Sequence, residues 1–208
     1  MPMTFEKLTQ IVELTKPIGA SAHSLAAPSS RQITLPDDSV LVKAKKAGVL
    51  VLLYPKNQQA HFVLTLRKEY KGVHSGQVSL PGGKAEPHDK SLKNTALREA
   101  QEEIGVNLQE VEIIKELSPV YIPPSNFLVN PYVAQAMAPP VFKKEDREVA
   151  EILEVPFLEL LNNENYKNQK VNVRGFSMSV PTFVLKEKIV WGATAMILSE
   201  LKQMVLTS

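Results

Sequence analysis

The chain has 208 residues, 44% of them hydrophobic, a net charge of +2 and no cysteine. That suffices for one domain with a packed core and excludes disulfides, thiolate metal sites and a cysteine nucleophile. With no basic run beyond pairs such as Lys45-Lys46, no apolar run near the roughly 18 residues that span a bilayer and no signal-type N-terminus, we expect a soluble, cytoplasmic protein with neither nucleic-acid nor membrane partners.

Phe5, Leu8, Ile11 and Val12 recur at helical spacing and predict a short amphipathic helix ending before Pro17. Residues 18–38 hold Gly19, Pro28 and Pro36 among many Ser and Ala residues, and read as an extended lead-in with little regular structure. His23 and Arg31 lie there with structural or solvated roles expected, a phosphate contact being the alternative for Arg31. The apolar side chains of this N-terminal part need a covering surface. A homodimer would supply one, and so would the same subunit.

Ala47 to Tyr54 and His61 to Arg67 are apolar runs that predict two buried strands, with residues 55–59 as the hairpin loop. A loop containing Lys71 and His74 leads to Leu80-Pro81-Gly82-Gly83, which is turn chemistry. Leu92 to Ile104 lacks Gly and Pro and is predicted to be a helix, capped by Asp89 or Ser91 and stopped by Gly105. Leu97, Ala100 and Ile104 give it a buried stripe, while Glu99, Glu102 and Glu103 share the other side. Arg98 reaches Glu102 at i+4.

Further on, strands are expected at 111–117, 120–121, 127–137 and 148–156, and a short helix at 157–161. Residues 162–170 are polar and turn-like; short strands follow at 171–176, 181–185 and 189–190. A last helix opens at Trp191 and runs towards Met204. Strand-like and helical stretches alternate around the glycine turn, which predicts an α/β chain: an α/β/α sandwich with a mixed central sheet.

Three carboxylates at i, i+3 and i+4 repel one another. A solvated helix face is the ordinary explanation. The alternative is a divalent cation, Mg²⁺ or Mn²⁺, which prefers hard oxygen ligands and relieves the repulsion. The position of the carboxylates, after a Gly-Gly turn and directly before a glycine stop, favours the cation. The chain contains no P-loop and no G-x-S-x-G elbow, so neither a P-loop enzyme nor a serine hydrolase has an anchor.

Arg98-Glu99-Ala100-Gln101-Glu102-Glu103-Ile104-Gly105-Val106 matches the second half of the Nudix hydrolase signature. In the first half Asp89 stands where Glu is usual, and eight residues rather than seven separate it from Arg98. The chain resembles the Nudix family over about residues 45–205, with 1–44 as N-terminal helix and lead-in and 45–208 as the Nudix domain. It is similar in particular to the coenzyme A pyrophosphatase branch, whose preceding motif is kept in register by Arg67, His74, Gly76, Val78, Pro81, Gly82 and Gly83. Lys68, Gly72 and Leu80 replace the branch's Ser, second Arg and Phe, and Lys71 adjoins the lost Arg.

The resemblance implies a Nudix fold and hydrolysis of a nucleoside diphosphate linked to another moiety. It implies Glu99 and Glu103 as main metal ligands, Glu102 as third ligand or bridge, the Gly83 carbonyl as a further ligand, and Arg98 orienting Glu102. A further carboxylate is expected from a later loop, Glu148 first and Glu151 second. Arg67, Lys71 and His74 are the expected substrate contacts. Three readings stay open: cleavage of coenzyme A or an acyl-CoA, cleavage of an ADP-ribose or NADH-type substrate, and a non-catalytic nucleotide-binding protein.

Overall fold

The protein is described from a computed structural model, which defines residues 3–28, 31, 33–68, 76–173 and 176–208. Thr4 caps helix α1 (Phe5–Leu14) by accepting from the Lys7 N–H, and Phe5, Leu8 and Val12 bury its apolar face. The lead-in is more regular than expected, with short helices α2 (Ala20–Leu25) and α3 (Asp38–Leu41). Helix α2 opens at Gly19 (φ 68°), whose N–H donates to the Glu200 carboxylate at 2.7 Å. That tertiary partner has no local sequence signal.

Strand β1 (Lys45–Lys56) runs straight through Pro55 and Lys56 into a two-residue turn, and strand β2 (Gln59–Arg67) returns antiparallel to it. The loop is therefore shorter than the five residues expected. Asn57 and Gln58 both take positive φ, the geometry that matches strand twist in a tight hairpin. Strands β3 (Val78–Ser79) and β4 (Gly82–Lys84) precede helix α4 (Leu92–Ile104), which has the expected bounds. Then come β5 (Val111–Glu116), β6 (Val120–Ile122), β7 (Phe127–Ala136), β8 (Val149–Pro156) and α5 (Phe157–Leu161). Strand β9 (Tyr166–Val173) begins inside the stretch expected to be turn-like. Its polar residues gain their backbone partners from β10 (Phe176–Leu185), and sheet pairing overrides their weak strand propensity. β11 (Lys188–Val190) and α6 (Gly192–Leu206) end the chain.

The main sheet is ordered β3-β2-β1-β7-β5, with β4 also on β1, β6 on β7 and β8 on β2. β1 and β7 are parallel and the other pairs antiparallel, so the sheet is mixed as predicted. β9, β10 and β11 form a separate three-stranded sheet.

Alternation along β1 divides the core. Leu50, Leu52 and Tyr54 face α4 and meet Ala96, Ala100 and Ile104. Val51 and Leu53 face the other way, into a larger cluster with Phe5, Leu8 and Val12 of α1, Phe157 of α5 and Ile197, Leu198 and Leu201 of α6. The result is the α/β/α sandwich. Of the apolar side chains behind the homodimer expectation, Phe5, Leu8, Val12, Ala26 and Ala27 are buried in this second cluster, covered by the same chain, whereas Leu14, Leu25 and Leu35 are exposed. Among the described residues no helix is long and apolar enough to cross a membrane. Helix α4 lies so close to β1 that a Cβ on Gly48 would sit 2.2 Å from the Leu92 carbonyl oxygen. Only glycine permits that approach.

Candidate active site

The tight contact of the first turn of α4 with β1 brings the middle and last turns of α4 beside β4, the glycine strand paired with β1. Ser91 caps α4, accepting from the Asn94 N–H, and Gly105 ends it in the left-handed conformation. Asp89 does something else. It accepts two hydrogen bonds from the Arg98 guanidinium, both at 3.0 Å, one from Thr95 Oγ1 and one from the Glu86 N–H. The Arg98 hydrogen bonds are the main cause holding the Asp89 carboxyl below its usual range. Arg98 also reaches Glu102 and Glu99, at 3.0 Å each, and donates to the Lys84 carbonyl. One planar fork thus ties the loop before the helix to two of its carboxylates.

The three glutamates are not equivalent, as a shared outer face would require. Glu102 is exposed. Glu99 is half-buried and lies against Gly83, where a Cβ would meet its carboxylate at 2.4–2.5 Å. Glu103 is only 4% exposed. It accepts from the Gly82 N–H at 3.1 Å and meets Arg67 at 3.5 Å. The buried face of α4 is therefore Thr95, Ala96, Ala100, Glu103 and Ile104, with Leu97 only partly covered. Burial pushes the Glu103 carboxyl up to about 7, against the Gly82 N–H and Arg67, with Glu99 and Glu148 adding to the rise. Burial also raises Glu99, and Arg98 opposes that rise.

Arg67 continues from Glu103 to Glu148, at 3.8 Å. Glu148 is thereby joined to the cluster, whereas Glu151 pairs with Lys188 elsewhere. Lys71 and His74 lie outside the described residues. No group of three or more Asp, Glu or His residues among the described ones is preset as a cation cage; Arg67 and Arg98 hold the carboxylates instead. The donor set nonetheless fits a hard divalent ion. A buried carboxylate with a raised pKa, a second carboxylate in the space that Gly83 leaves free and backbone at the glycine strand offer oxygen ligands only.

On the far side of the glycine strand a cavity of about 610 Å³ opens. Gly82, Gly83 and Arg67 form one end, and Val49, Phe127, Val129 and Trp191 are among its apolar walls. Arg31 lines it too. Its guanidinium donates to the Tyr121 carbonyl at 2.6 Å. His23 has a different fate, buried against Glu200 of α6 at 3.2 Å. Glu200 also accepts from the N–H groups of Gly19 and Ser118 and from the Ser118 hydroxyl. Sequence reasoning missed this network, because a single Glu in an apolar helix looks like a surface residue until its partners, remote in sequence, are in place.

The profile of the NUDIX domain family matches residues 44–174. A protein of Yersinia pestis (strain Pestoides F) described as an uncharacterized Nudix hydrolase NudL is 34% identical over 182 residues, covering 84% of this chain and 90% of its own. The same figures hold for its counterpart in Yersinia pseudotuberculosis serotype O:1b. In structure, the chain is similar to the Nudix hydrolase RenU from M. smegmatis, with a TM-score of 0.55, 17% identity, and coverage of 79% of this chain and 87% of that one. A MutT/nudix family protein from Enterococcus faecalis gives a TM-score of 0.53 at 16% identity, over 86% and 66% of the two chains.

Proposed function

The chain belongs to the Nudix hydrolase family, and on that premise we propose that its substrate is coenzyme A or an acyl-CoA, cleaved to 3′,5′-ADP and the corresponding phosphopantetheine. At the coarser level it is a pyrophosphatase acting on nucleoside diphosphate derivatives. The observation that carries the finer reading is the cavity. It starts at the glycine strand and Arg67 and extends between apolar walls, which suits a diphosphate joined to a long, mostly uncharged arm. The register of Arg67, Val78, Pro81, Gly82 and Gly83 with the coenzyme A branch supports it.

In this reading Glu99, Glu103, Glu102 and the Gly83 carbonyl hold Mg²⁺ or Mn²⁺. The ion, when bound, neutralises charge on the diphosphate oxygens and lowers the pKa of the attacking water. Arg98 keeps Glu99 and Glu102 in place from its seat on Asp89. Arg67 holds Glu103 and Glu148 and lines the cavity, where it would meet the substrate phosphates. Glu148, exposed and within reach of Arg67, is the candidate to accept the proton from water. A binding protein without turnover would have no use for a carboxylate buried against the glycine strand beside two others.

The test is a panel of coenzyme A, acetyl-CoA, ADP-ribose and NADH, incubated with Mg²⁺ or Mn²⁺, with products identified by mass. The expected products are 3′,5′-ADP and a phosphopantetheine. Cleavage of ADP-ribose or NADH with no cleavage of either CoA compound would replace this reading by the ADP-ribose or NADH-type one.

A further inference from the structure

Cations line the cavity: Arg31, Arg67 and Lys84 reach its surface, and among the described residues no Asp or Glu lines it. Arg67 is paired with Glu103 and Glu148. Arg31 has no carboxylate partner among the described residues. Its Nε is buried without a hydrogen-bond partner, although one terminal nitrogen is held by the Tyr121 carbonyl. Burial works against its charge, and no carboxylate among the described residues offsets that. Ser125, in the turn that follows β6, lines the same cavity, and its hydroxyl is also buried without a partner. A guanidinium at the cavity wall with no carboxylate partner among the described residues suits a ligand with several acceptor oxygens.

The sheet fixes where this wall lies. Tyr121 sits on β6, which pairs with β7; β7 pairs with β1, and β1 with β4. Three strand spacings separate β6 from the glycine strand, roughly 14 Å at the usual inter-strand distance. The Arg31 guanidinium is pinned to the β6 backbone by its hydrogen bond. The two phosphorus atoms of a diphosphate share one bridging oxygen. A diphosphate at Gly82–Gly83 therefore does not also satisfy Arg31.

We propose that Arg31, with Ser125 lining the same cavity, is a specificity-determining residue that reads a second anionic group of the substrate, a phosphate monoester set apart from the diphosphate that is cleaved. The proposal rests on the hydrolase reading above and deepens it. The substrate class is then a nucleoside diphosphate derivative with an additional phosphate. Arg31 lies outside residues 44–174, the stretch matched by the family profile, so the charge that discriminates comes from this chain's lead-in, with Ser125 contributed by the domain. A site built around a buried donor rejects the analogue lacking the acceptor, because the donor is then left unpaired.

The test uses substrate pairs that differ by one phosphate: coenzyme A against 3′-dephospho-CoA, and NADPH against NADH. kcat/KM is measured for each pair with the full-length wild type, Arg31→Gln, Arg31→Lys and Ser125→Ala, with Mg²⁺ or Mn²⁺ present. The wild type is expected to prefer the phosphorylated member of a pair by ten- to a hundredfold. Arg31→Gln should bring that ratio towards one, mainly through KM. Arg31→Lys and Ser125→Ala should fall between. The ratio is taken within one protein sample, so a variant that folds poorly still reports it. A wild-type ratio near one in every pair cleaved overturns the proposal, as does an Arg31→Gln variant that loses both members of a pair equally, which would make Arg31 a strap on Tyr121 alone. Cleavage of neither pair, with turnover of a simpler nucleoside diphosphate, also overturns it. Preference for NADPH with no cleavage of coenzyme A would sink the coenzyme A reading and support Arg31. Cleavage of coenzyme A and its dephospho form at equal rates would do the reverse.

Discussion

Replacing Glu103 by Gln isolates the least ordinary group in the site. Gln keeps the size and helix propensity and still accepts from the Gly82 N–H, but it carries no charge. In the metal-free protein the Glu103 carboxyl is raised to about 7 from a reference of 4.5, chiefly by burial. The folded state thus holds a proton that the unfolded chain has lost. Stability must fall as pH rises from about 4.5 to about 7 and then level off. The difference of 2.5 units, at 1.36 kcal/mol each, gives about 3 kcal/mol as the full loss above pH 7. For a chain of this size that corresponds to roughly 6–12 °C in melting temperature. Glu103→Gln should lack this decline, so the metal-free variant should match the wild type near pH 4.5 and exceed it at pH 8. Saturating Mg²⁺ or Mn²⁺ should raise the wild-type melting temperature by mass action and the variant's far less. Turnover should drop by orders of magnitude. The measurements are melting curves from pH 4.5 to 8, with chelator and with metal, beside an activity assay. A variant that follows the wild-type pH profile and metal shift, or that keeps near-normal turnover, would refute the assignment.

Three other substitutions probe the frame around the site. Gly83→Ala places a Cβ 2.4–2.5 Å from the flexible end of Glu99; the fold should survive with a nearly unchanged melting temperature, while kcat falls at least about tenfold through displacement of that carboxylate. Gly48→Ala meets main-chain atoms of α4 instead, at 2.2 Å and 2.9 Å, and should destabilise by about 3 kcal/mol or more in urea unfolding. Glu200→Ala should cost about 3–5 kcal/mol, since it strands donors from Gly19, His23 and Ser118 in the interior. Burial raises the Glu200 carboxyl, but those hydrogen bonds outweigh it and hold it below its usual value. Its contribution is therefore present above about pH 4.5 and lost as pH falls through the lowered value, a decline that Glu200→Gln should not show in acid unfolding.

The bounds of α4 and the sandwich were legible because each is written locally, in caps and apolar period; Gly82 and Gly83, read as turn residues, instead form strand β4, because β1 supplies their backbone partners. The environment of each glutamate was not. Helical spacing placed Glu103 on the same side as Glu99 and Glu102, but the depth of each side chain is set by β4, which approaches from another part of the chain. Asp89 shows the same limit: its partner in space, Arg98, follows from how the loop folds back on the helix. Arg31 and Glu200 stood outside every motif. Their significance comes from contacts about 90 and 180 positions away, which no local pattern reports.

The Glu200 network also bears on synthesis. The lead-in leaves the ribosome well before the carboxylate that fastens it, which lies on α6, 177 residues after His23. At ordinary elongation rates the two are made roughly 10–35 s apart. The first turn of that helix walls the cavity as well, through Gly192, Ala193 and Thr194. A nascent chain stopped before α6 would carry the whole glutamate cluster and still lack a closed binding cavity. The cavity is thus closed only once the first turn of α6 has been made and packed.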